Sequence, residues 1–459
     1  MAASRSRTPP LPPATSPPLF QTCREAKPLL IKHDLGNEAL ALHDRRPCAT
    51  PPPALDPIPI SSSGSGARDW TNLGGDGPTD QIAELVLAGD VADYLRFRAV
   101  CRSWRRCTAD PRGATTGLST LFLPRQWIML DKAHDASRRR RFLNVSTGEC
   151  VRTDLPELAG HTLLAATPEG LLLLLHEPTL VVRLLNPLTR HLTELPPVTA
   201  LLTEEERRDL RSGTTPLEDM LRVVGAGLAD AETSTVAICF RWPTALAVAR
   251  PGDERWTVVD GDSFIDSALT GAGRFYCASR SKIFVLDTDG TNQQPPRLRL
   301  VATEGSMPFY FFRISHSLHL VDNAGDLMLV HRMLGQGQGT GAQGVVKYSG
   351  NFKVFRVDLD AGALAPVKDL RGRAVVISLG RAVSVSVGAF PSISADTLYL
   401  GFDCAEKTIK GGIDGYNVAA SSSEPSCYHG SCHDMVLAQP YSVVDCLSYC
   451  IRLNGEHLA

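Results

Sequence analysis

Near the end of the chain, Cys427, His429, Cys432 and His433, with Cys446 and Cys450 beyond, offer thiolate and imidazole groups suited to a soft metal. Structural zinc sites space such ligands as paired knuckles. The spacing here fits no such pair, and Ser421-Ser422-Ser423 upstream reads as loop, so these residues read as ordinary loop and strand side chains and no metal is expected. A second run, Gly339-Thr340-Gly341-Ala342-Gln343-Gly344, has the form Gly-x-Gly-x-x-Gly. A dinucleotide site needs the last glycines to open a helix whose N-terminus faces the pyrophosphate. Val345-Val346-Lys347-Tyr348 follows instead and reads as strand, which makes the glycines a hairpin loop and leaves no cofactor expected. No Gly-x-Ser-x-Gly elbow is present, and no spacing ties a cysteine or serine to a particular histidine and acid. The expectation is a non-catalytic protein.

Bulk composition narrows the class. The 459 residues carry 47 basic and 49 acidic side chains, a formal charge of −2. Binding held mainly by phosphate contacts needs a basic surplus, so no nucleic-acid partner is expected. No apolar run approaches the roughly 20 residues that a membrane helix requires, and no membrane partner is expected either. Twelve cysteines are scattered from Cys23 to Cys450. With no apolar secretory segment, they read as free thiols in a reducing compartment, cytoplasmic or nuclear, most of them small buried hydrophobes. The first 24 residues hold Arg5, Arg7 and Arg24 and no acid, a composition compatible with an organellar transit peptide. Arg138 to Arg141 read as a solvated hairpin, with a nuclear-import patch as the rival.

Residues 1–68 read as a disordered Pro/Ser-rich arm. Thirteen of the 32 prolines fall there, and the arm ends at Ser61-Ser62-Ser63-Gly64-Ser65-Gly66. Proline without periodic apolar residues favours solvated, extended backbone. From residue 69 to 112 the pattern turns helical. Ile82, Leu85 and Val86 share a face at i, i+3 and i+4, Gly89 interrupts, and Asp90 is placed to cap a second helix from Val91. In that helix Tyr94, Phe97, Cys101 and Trp104 make one continuous stripe. About 40 residues cannot bury both apolar faces alone, so a partner or the following domain must cover the rest.

From about 119 to 450 the signal is short strands between turns, including 121–123, 127–130, 171–175, 180–185, 236–240, 256–259, 275–278, 283–286, 327–330, 355–357 and 398–400. One short helix, 203–210, interrupts them, with Thr203 as its cap. An apolar strand followed by Asn or Asp at the corner recurs at Asn144, Asn186, Asp287 and Asp358, and a further hairpin stands at Pro251. Asn and Asp suit such corners because their side chains bond nearby backbone. The steps between these markers, 42, 65, 36 and 71 residues, bracket the 40–50 residues of a four-stranded propeller blade. The longer steps hide loops or an unmarked blade. The expected fold is mainly β with a small all-α N-terminal module: a helical bundle followed by a β-propeller of roughly six blades, with a β-sandwich pair as the competing architecture and 451–459 as a tail.

Two resemblances accompany this reading. The segment from Asp90 to Arg105, ending Arg98-Ala99-Val100-Cys101-Arg102-Ser103-Trp104, resembles the second half of a plant F-box, with Asp69-Trp70-Thr71-Asn72-Leu73 upstream. The strand-rich remainder resembles the KIB-type β-propeller, carried by Leu185-Asn186-Pro187-Leu188-Thr189, by Phe352-Lys353-Val354-Phe355-Arg356-Val357-Asp358 and by Leu379-Gly380-Arg381-Ala382-Val383. Pro440 to Cys446 is a weaker match to the family's C-terminal strand. The resemblance implies a substrate-receptor subunit of an SCF-type ubiquitin ligase, docking the Skp adaptor and through it a cullin, and recruiting an unnamed protein target. It places Leu73, Ile82, Leu85, Val91, Leu95, Val100, Cys101 and Trp104 in the F-box core or on the adaptor face. Loops 334–344 and 419–433 are the candidate target contacts by length and composition. The chain departs from the F-box pattern at its opening, where Gly74-Gly75-Asp76-Gly77-Pro78 replaces the usual leucine pair. Glycine costs about 1 kcal/mol in a helix interior, so the rival reading is a propeller binding protein with a degenerate F-box.

Overall fold

The computed structural model describes residues 78–113, 118–130, 139–212, 217–261, 264–279, 282–288, 295–303, 314–340, 346–377, 381–390, 393–400 and 415–423, all within one compact unit, Arg68–Ala459. The expected arm, Leu73, the Cys427 to Cys450 cluster, the Pro440 to Cys446 strand and the tail lie outside the described residues.

Three short helices come first: α1 (Thr79–Gly89), α2 (Val91–Ala99) and α3 (Arg102–Arg106). Asp90 caps α2 as its sequence position predicts, its side chain accepting from the Ala92 N–H. The single helix expected from Tyr94 to Trp104 is two. Cys101 turns extended, with φ −153° and ψ 168°, and its Sγ accepts from the Trp104 N–H at 3.4 Å to cap α3. Arg98, buried, holds the returning chain by donating to the Thr108 and Ala109 carbonyls, each at 2.6 Å. Phe97 and Trp104 stack across the break, centroids 4.4 Å apart and planes at 26°.

The strands follow in a succession of antiparallel sheets. The first contains β1 (Trp127–Met129), β2 (Arg139–Asn144) and β3 (Cys150–Asp154); the second β4 (His161–Ala166), β5 (Leu172–His176), β6 (Val181–Leu185) and β7 (Leu192–Pro197). Helices α4 (Glu204–Ser212) and α5 (Leu217–Met220) then precede β8 (Arg222–Asp230), β9 (Thr235–Trp242), β10 (Ala245–Ala249) and β11 (Thr257–Asp260). Next come β12 (Ser267–Gly271), β13 (Arg274–Ser279), β14 (Lys282–Asp287) and β15 (Arg297–Thr303). The following four are β16 (Ile314–Asn323), β17 (Asp326–Thr340), β18 (Val346–Asp358) and β19 (Ala363–Val367). These two groups touch through one parallel pair, Thr303 with Ala363. The last sheet runs in the order β21 (Ala382–Ser386), β20 (Arg373–Ile377), β22 (Thr397–Leu400), β23 (Gly415–Asn417), β24 (Ser422–Ser423), with β20 and β22 parallel.

Alternate residues of each strand point to opposite sheet faces, and here both faces are apolar. Val182 and Leu184 pack toward Val236 and Ile238; Cys239 and Val248 toward Phe275 and Cys277; Tyr276 and Val285 toward Leu320 and Leu329. Val330 and Val354 meet Val375 and Leu398. Val376 and Tyr399 meet Ile128 and Leu143, and Trp127 and Phe142 meet Leu172 and Leu174. The six cores link each sheet group to the next and the last back to the first. The architecture is a β-propeller with four four-stranded blades among the described residues. The first sheet has three strands there, and the last has five in a non-sequential order, so the roughly six blades expected are not matched by six equivalent units.

The Asn/Asp markers mark one kind of place. Asn186, Pro251, Asp287 and Asp358 stand at the turn from third to fourth strand of the four complete blades, one each, the two aspartates as the last residue of the third strand. The 65-residue step contains α4 and α5, and the 71-residue step contains the long β17–β18 hairpin; neither shows a further blade among the described residues. One expected strand is corrected: 120–122 form a 3-10 turn, because Phe122 is pulled against Tyr94, centroids 5.6 Å apart. The solvated reading of the arginine run also needs correction, since Arg140 is buried in β2.

Candidate interaction surface

Antiparallel strands reverse direction, so the turns of each blade alternate between two faces of the ring. The turns after β2, β4 and β6 lie on one face, and the helices sit there. Tyr94 and Val91 pack with Ala83 and Phe122, and Leu188 of the β6–β7 turn joins them. The Tyr94 hydroxyl donates to the Ala109 carbonyl at 2.8 Å.

Asp90 fastens this module to the first sheet. One carboxylate oxygen caps α2; the other accepts from the Trp127 indole N–H at 2.9 Å and from the Asn144 amide at 2.8 Å. Asn144 meanwhile accepts from the Ser146 and Thr147 N–H groups, closing its own turn. Asn186 repeats the device: its Oδ1 accepts from Leu188 and Thr189, and its Nδ2 donates to the Phe122 carbonyl at 2.7 Å. Arg96 bridges Asp93 and Glu149, and Arg112 donates to the Thr189 carbonyl at 3.0 Å.

The residues expected to form an adaptor face divide by burial. Val91 is buried and Leu95 half-buried in the helical core. Cys101 and Trp104 are half-buried at the α2–α3 break. Ile82, Leu85 and Val100 are turned outward, 39%, 76% and 62% exposed. Ile82 and Leu85, three residues apart, share one side of α1. Burying a side chain such as Leu85 is worth about 1.5–3 kcal/mol, so this side is suited to docking a partner's apolar surface. The sequence reading missed the second role of Asp90 and the place of Phe122. A cap signal was present for the first, and nothing local signalled the second.

The opposite face carries the β5–β6, β9–β10, β13–β14 and β17–β18 turns and the connection containing α4 and α5. Residues 334–340, expected as loop, are strand: β17 continues past Gly335 and pairs Thr340 with Val346 of β18. At about 3.3 Å per residue the pairing from Gly335 to Thr340 adds roughly 17 Å to this hairpin. Residues 341–345 and 424–433 lie outside the described residues. Of the Gly-x-Gly-x-x-Gly run, Gly339 and Thr340 are strand and Val346 is again strand, while Gly341 to Gly344 lie outside the described residues. Among the described residues no group of three or more His, Cys, Asp or Glu is placed to hold a metal. No described helix is long and apolar enough to cross a membrane. Cys101, Cys107, Cys150, Cys239 and Cys277 are free thiols. Of these Cys239 and Cys277 are buried, and burial pushes the Cys239 thiol up to about 12 and that of Cys277 well above its ordinary value.

Residues 142–429 match a family model described as the KIB1-4 beta-propeller. No curated protein matches the chain. Among solved structures, 26 chains match. One is the PQQ-bound form of aldose sugar dehydrogenase from Streptomyces coelicolor, 14% identical over 49% of this chain and 82% of that one, with a TM-score of 0.22. A superposition that loose carries no argument about function.

Proposed function

The chain belongs to the KIB1-4 beta-propeller family, and from that premise we propose that it is the non-catalytic substrate-receptor subunit of an SCF-type ubiquitin ligase. In this reading the three helices are an F-box that docks the Skp adaptor and, through it, a cullin. The propeller holds a protein target, the three- and five-stranded sheets being its first and last blades in a ring of six. The protein works in the cytoplasm or nucleus.

One observation carries the proposal. The helical module is anchored to one face of the propeller by Asp90, Asn144 and Asn186, yet leaves Leu85 and Val100 in water. A bundle that only capped the propeller would turn its large apolar residues inward. Interface energy concentrates in a few apolar and aromatic anchors, and Leu85, Val100 and the Phe97–Trp104 stack are the candidates here. The deciding experiment is capture of a plant Skp adaptor by the full chain, beside Leu85→Glu and Trp104→Ala. Capture by the wild type, reduced by roughly tenfold or more in Leu85→Glu, is the expected result. Failure of the folded wild type to capture any adaptor overturns the proposal.

The second reading, a propeller binding protein whose F-box is degenerate, is favoured by one feature. The glycines at 74, 75 and 77 immediately precede α1, which starts only at Thr79 after Pro78. That reading predicts the adaptor-negative result together with a target bound by the propeller alone.

A further inference from the structure

The face opposite the helices carries two guanidinium groups with no ion pair among the described residues. Arg222 opens β8, and Arg241 lies near the end of its neighbour β9. The register slips there: Val223 stands opposite Phe240 and Arg222 opposite Trp242, so Arg241 is the extra residue of a bulge. Bulges redirect the side chain of the residue they insert. Its guanidinium carbon sits 4.9 Å from the centre of the Phe264 ring, and that ring is half exposed on the β11–β12 connection. Neither arginine has an ion pair or side-chain hydrogen bond among the described residues.

Like charges meet here, opposed by the Asp266 carboxylate. Burial, then the like charge of Arg222, pushes the Arg241 guanidinium down from its ordinary value, with Asp266 acting the other way. His319 of β16, fully buried, is pushed down to about 3 by burial, then by Arg332 and Arg241, and so adds no charge of its own at neutral pH. Bringing a second cation beside a half-buried one is unfavourable without a counter-charge, and a carboxylate reaching both would relieve it with charge-assisted, two-pronged hydrogen bonds.

We propose that this bulge is the contact point for an acidic peptide segment of the recruited protein, whose carboxylates pair with Arg222 and Arg241 beside the Phe264 ring. The inference rests on the receptor reading for the word "recruited" and on the local geometry for the chemistry. A peptide fits better than a nucleic acid: the chain's net charge of −2 gives no phosphate-tracking surface, and two arginines with one aromatic make a point of contact. The β17–β18 hairpin reverses on this same face, while the helices occupy the other, leaving the contact point clear of an adaptor.

The test uses the full chain and a fluorescein-labelled glutamate-rich peptide, with its glutamine counterpart as control, followed by anisotropy at low and at physiological salt. The glutamate peptide should bind, weaken as salt rises, and lose roughly tenfold or more in affinity in Arg222→Glu/Arg241→Glu. Arg152→Glu, an exposed arginine of β3, should bind as wild type. Should the double variant melt early, Arg222→Glu alone gives the reading, because Arg222 is exposed. The proposal is overturned by no binding to wild type, by equal binding of the glutamine peptide, or by equal affinity in wild type and Arg222→Glu. Tighter binding of a single-stranded oligonucleotide through the same arginines also overturns it. Adaptor capture on the same preparations separates the two ideas: capture with no peptide binding sinks only this inference, and peptide binding without capture sinks only the receptor reading.

Discussion

Removing the Asp90 carboxylate should release the helical module before it unfolds the propeller. The cap on α2 contributes about 1 kcal/mol. The Trp127 indole N–H and the Asn144 amide, both on residues only 2% exposed, lose their shared acceptor; a buried donor left unsatisfied costs about 1–3 kcal/mol. Asp90→Ala should therefore cost about 3–7 kcal/mol. Asp90→Ser keeps a capping hydroxyl and should recover about 1 kcal/mol of it. The readout is hydrogen exchange of α2 amides in the intact protein, since helices held by few contacts open locally. A loss of about 3 kcal/mol corresponds to roughly 150-fold faster exchange, with β4–β7 amides unchanged. The pairwise contribution comes from a double-mutant cycle with Trp127→Phe, which keeps an aromatic side chain and removes the donor, the lost volume cancelling within the cycle. Coupling of about 1–2 kcal/mol is expected, and singles that add within about 0.5 kcal/mol would refute the shared-acceptor account.

Other consequences are open to measurement. A Cβ on Gly225 would fall 2.3 Å from the Ala268 backbone oxygen, where β8 meets β12; Gly225→Ala should cost about 1–3 kcal/mol, and an unchanged melting temperature would contradict the close approach of these inner strands. His319 is held at about 3 against 6.5 in the unfolded chain. The unfolded state therefore binds the proton first, and stability must fall as pH drops from 6.5 towards 3, by at most about 1.4 kcal/mol per pH unit from this group. His319→Asn should flatten that part of the slope in urea unfolding at successive pH values, and identical slopes would remove His319 as the cause. Exposed Cys150 should alkylate in the native protein, while Cys239 and Cys277, buried thiols with raised pKa, should react only after denaturation. Native labelling of all three at similar rates would contradict the packing between the second and third complete blades.

Local chemistry was legible in the sequence wherever a side chain acts on its own neighbours. Asp90 as a cap is one case. Thr203 is another: its Oγ1 accepts from the Glu206 N–H at 3.2 Å while the Glu206 carboxylate accepts from the Thr203 N–H at 2.7 Å, a capping box readable from spacing alone. The Asn186, Pro251, Asp287 and Asp358 turns found one position per complete blade for the same reason. What stayed hidden depends on residues far apart in the chain. The break at Cys101 is held by Arg98 reaching Thr108 and Ala109, and no periodicity encodes it. The parallel neighbours β20 and β22 arise from a long-range crossing. The placement of Arg241 follows from a register slip between two strands, which neither strand specifies by itself. Of the eight residues expected in the helical module, periodicity grouped those it could; it could not tell that Val91 faces inward and Leu85 outward, because the covering surface comes from Phe122 and Leu188.

Chain connectivity brings the helices beside the first two sheets, and side chains then fix how they sit. Asn144 and Asn186 are two of them. An amide has an acceptor end and a donor end, so each residue can close its own turn and still extend a hand outward, to Asp90 and to Phe122. Asp358, at the matching corner of a later blade, closes its turn through the Ala361 N–H but as a carboxylate has nothing left to give. The difference of one functional group thus separates a corner that reaches outward from one that only closes itself. Exchanging Asn for Asp at 144 and 186 would keep the acceptor that closes each hairpin and remove the donors that reach Asp90 and Phe122.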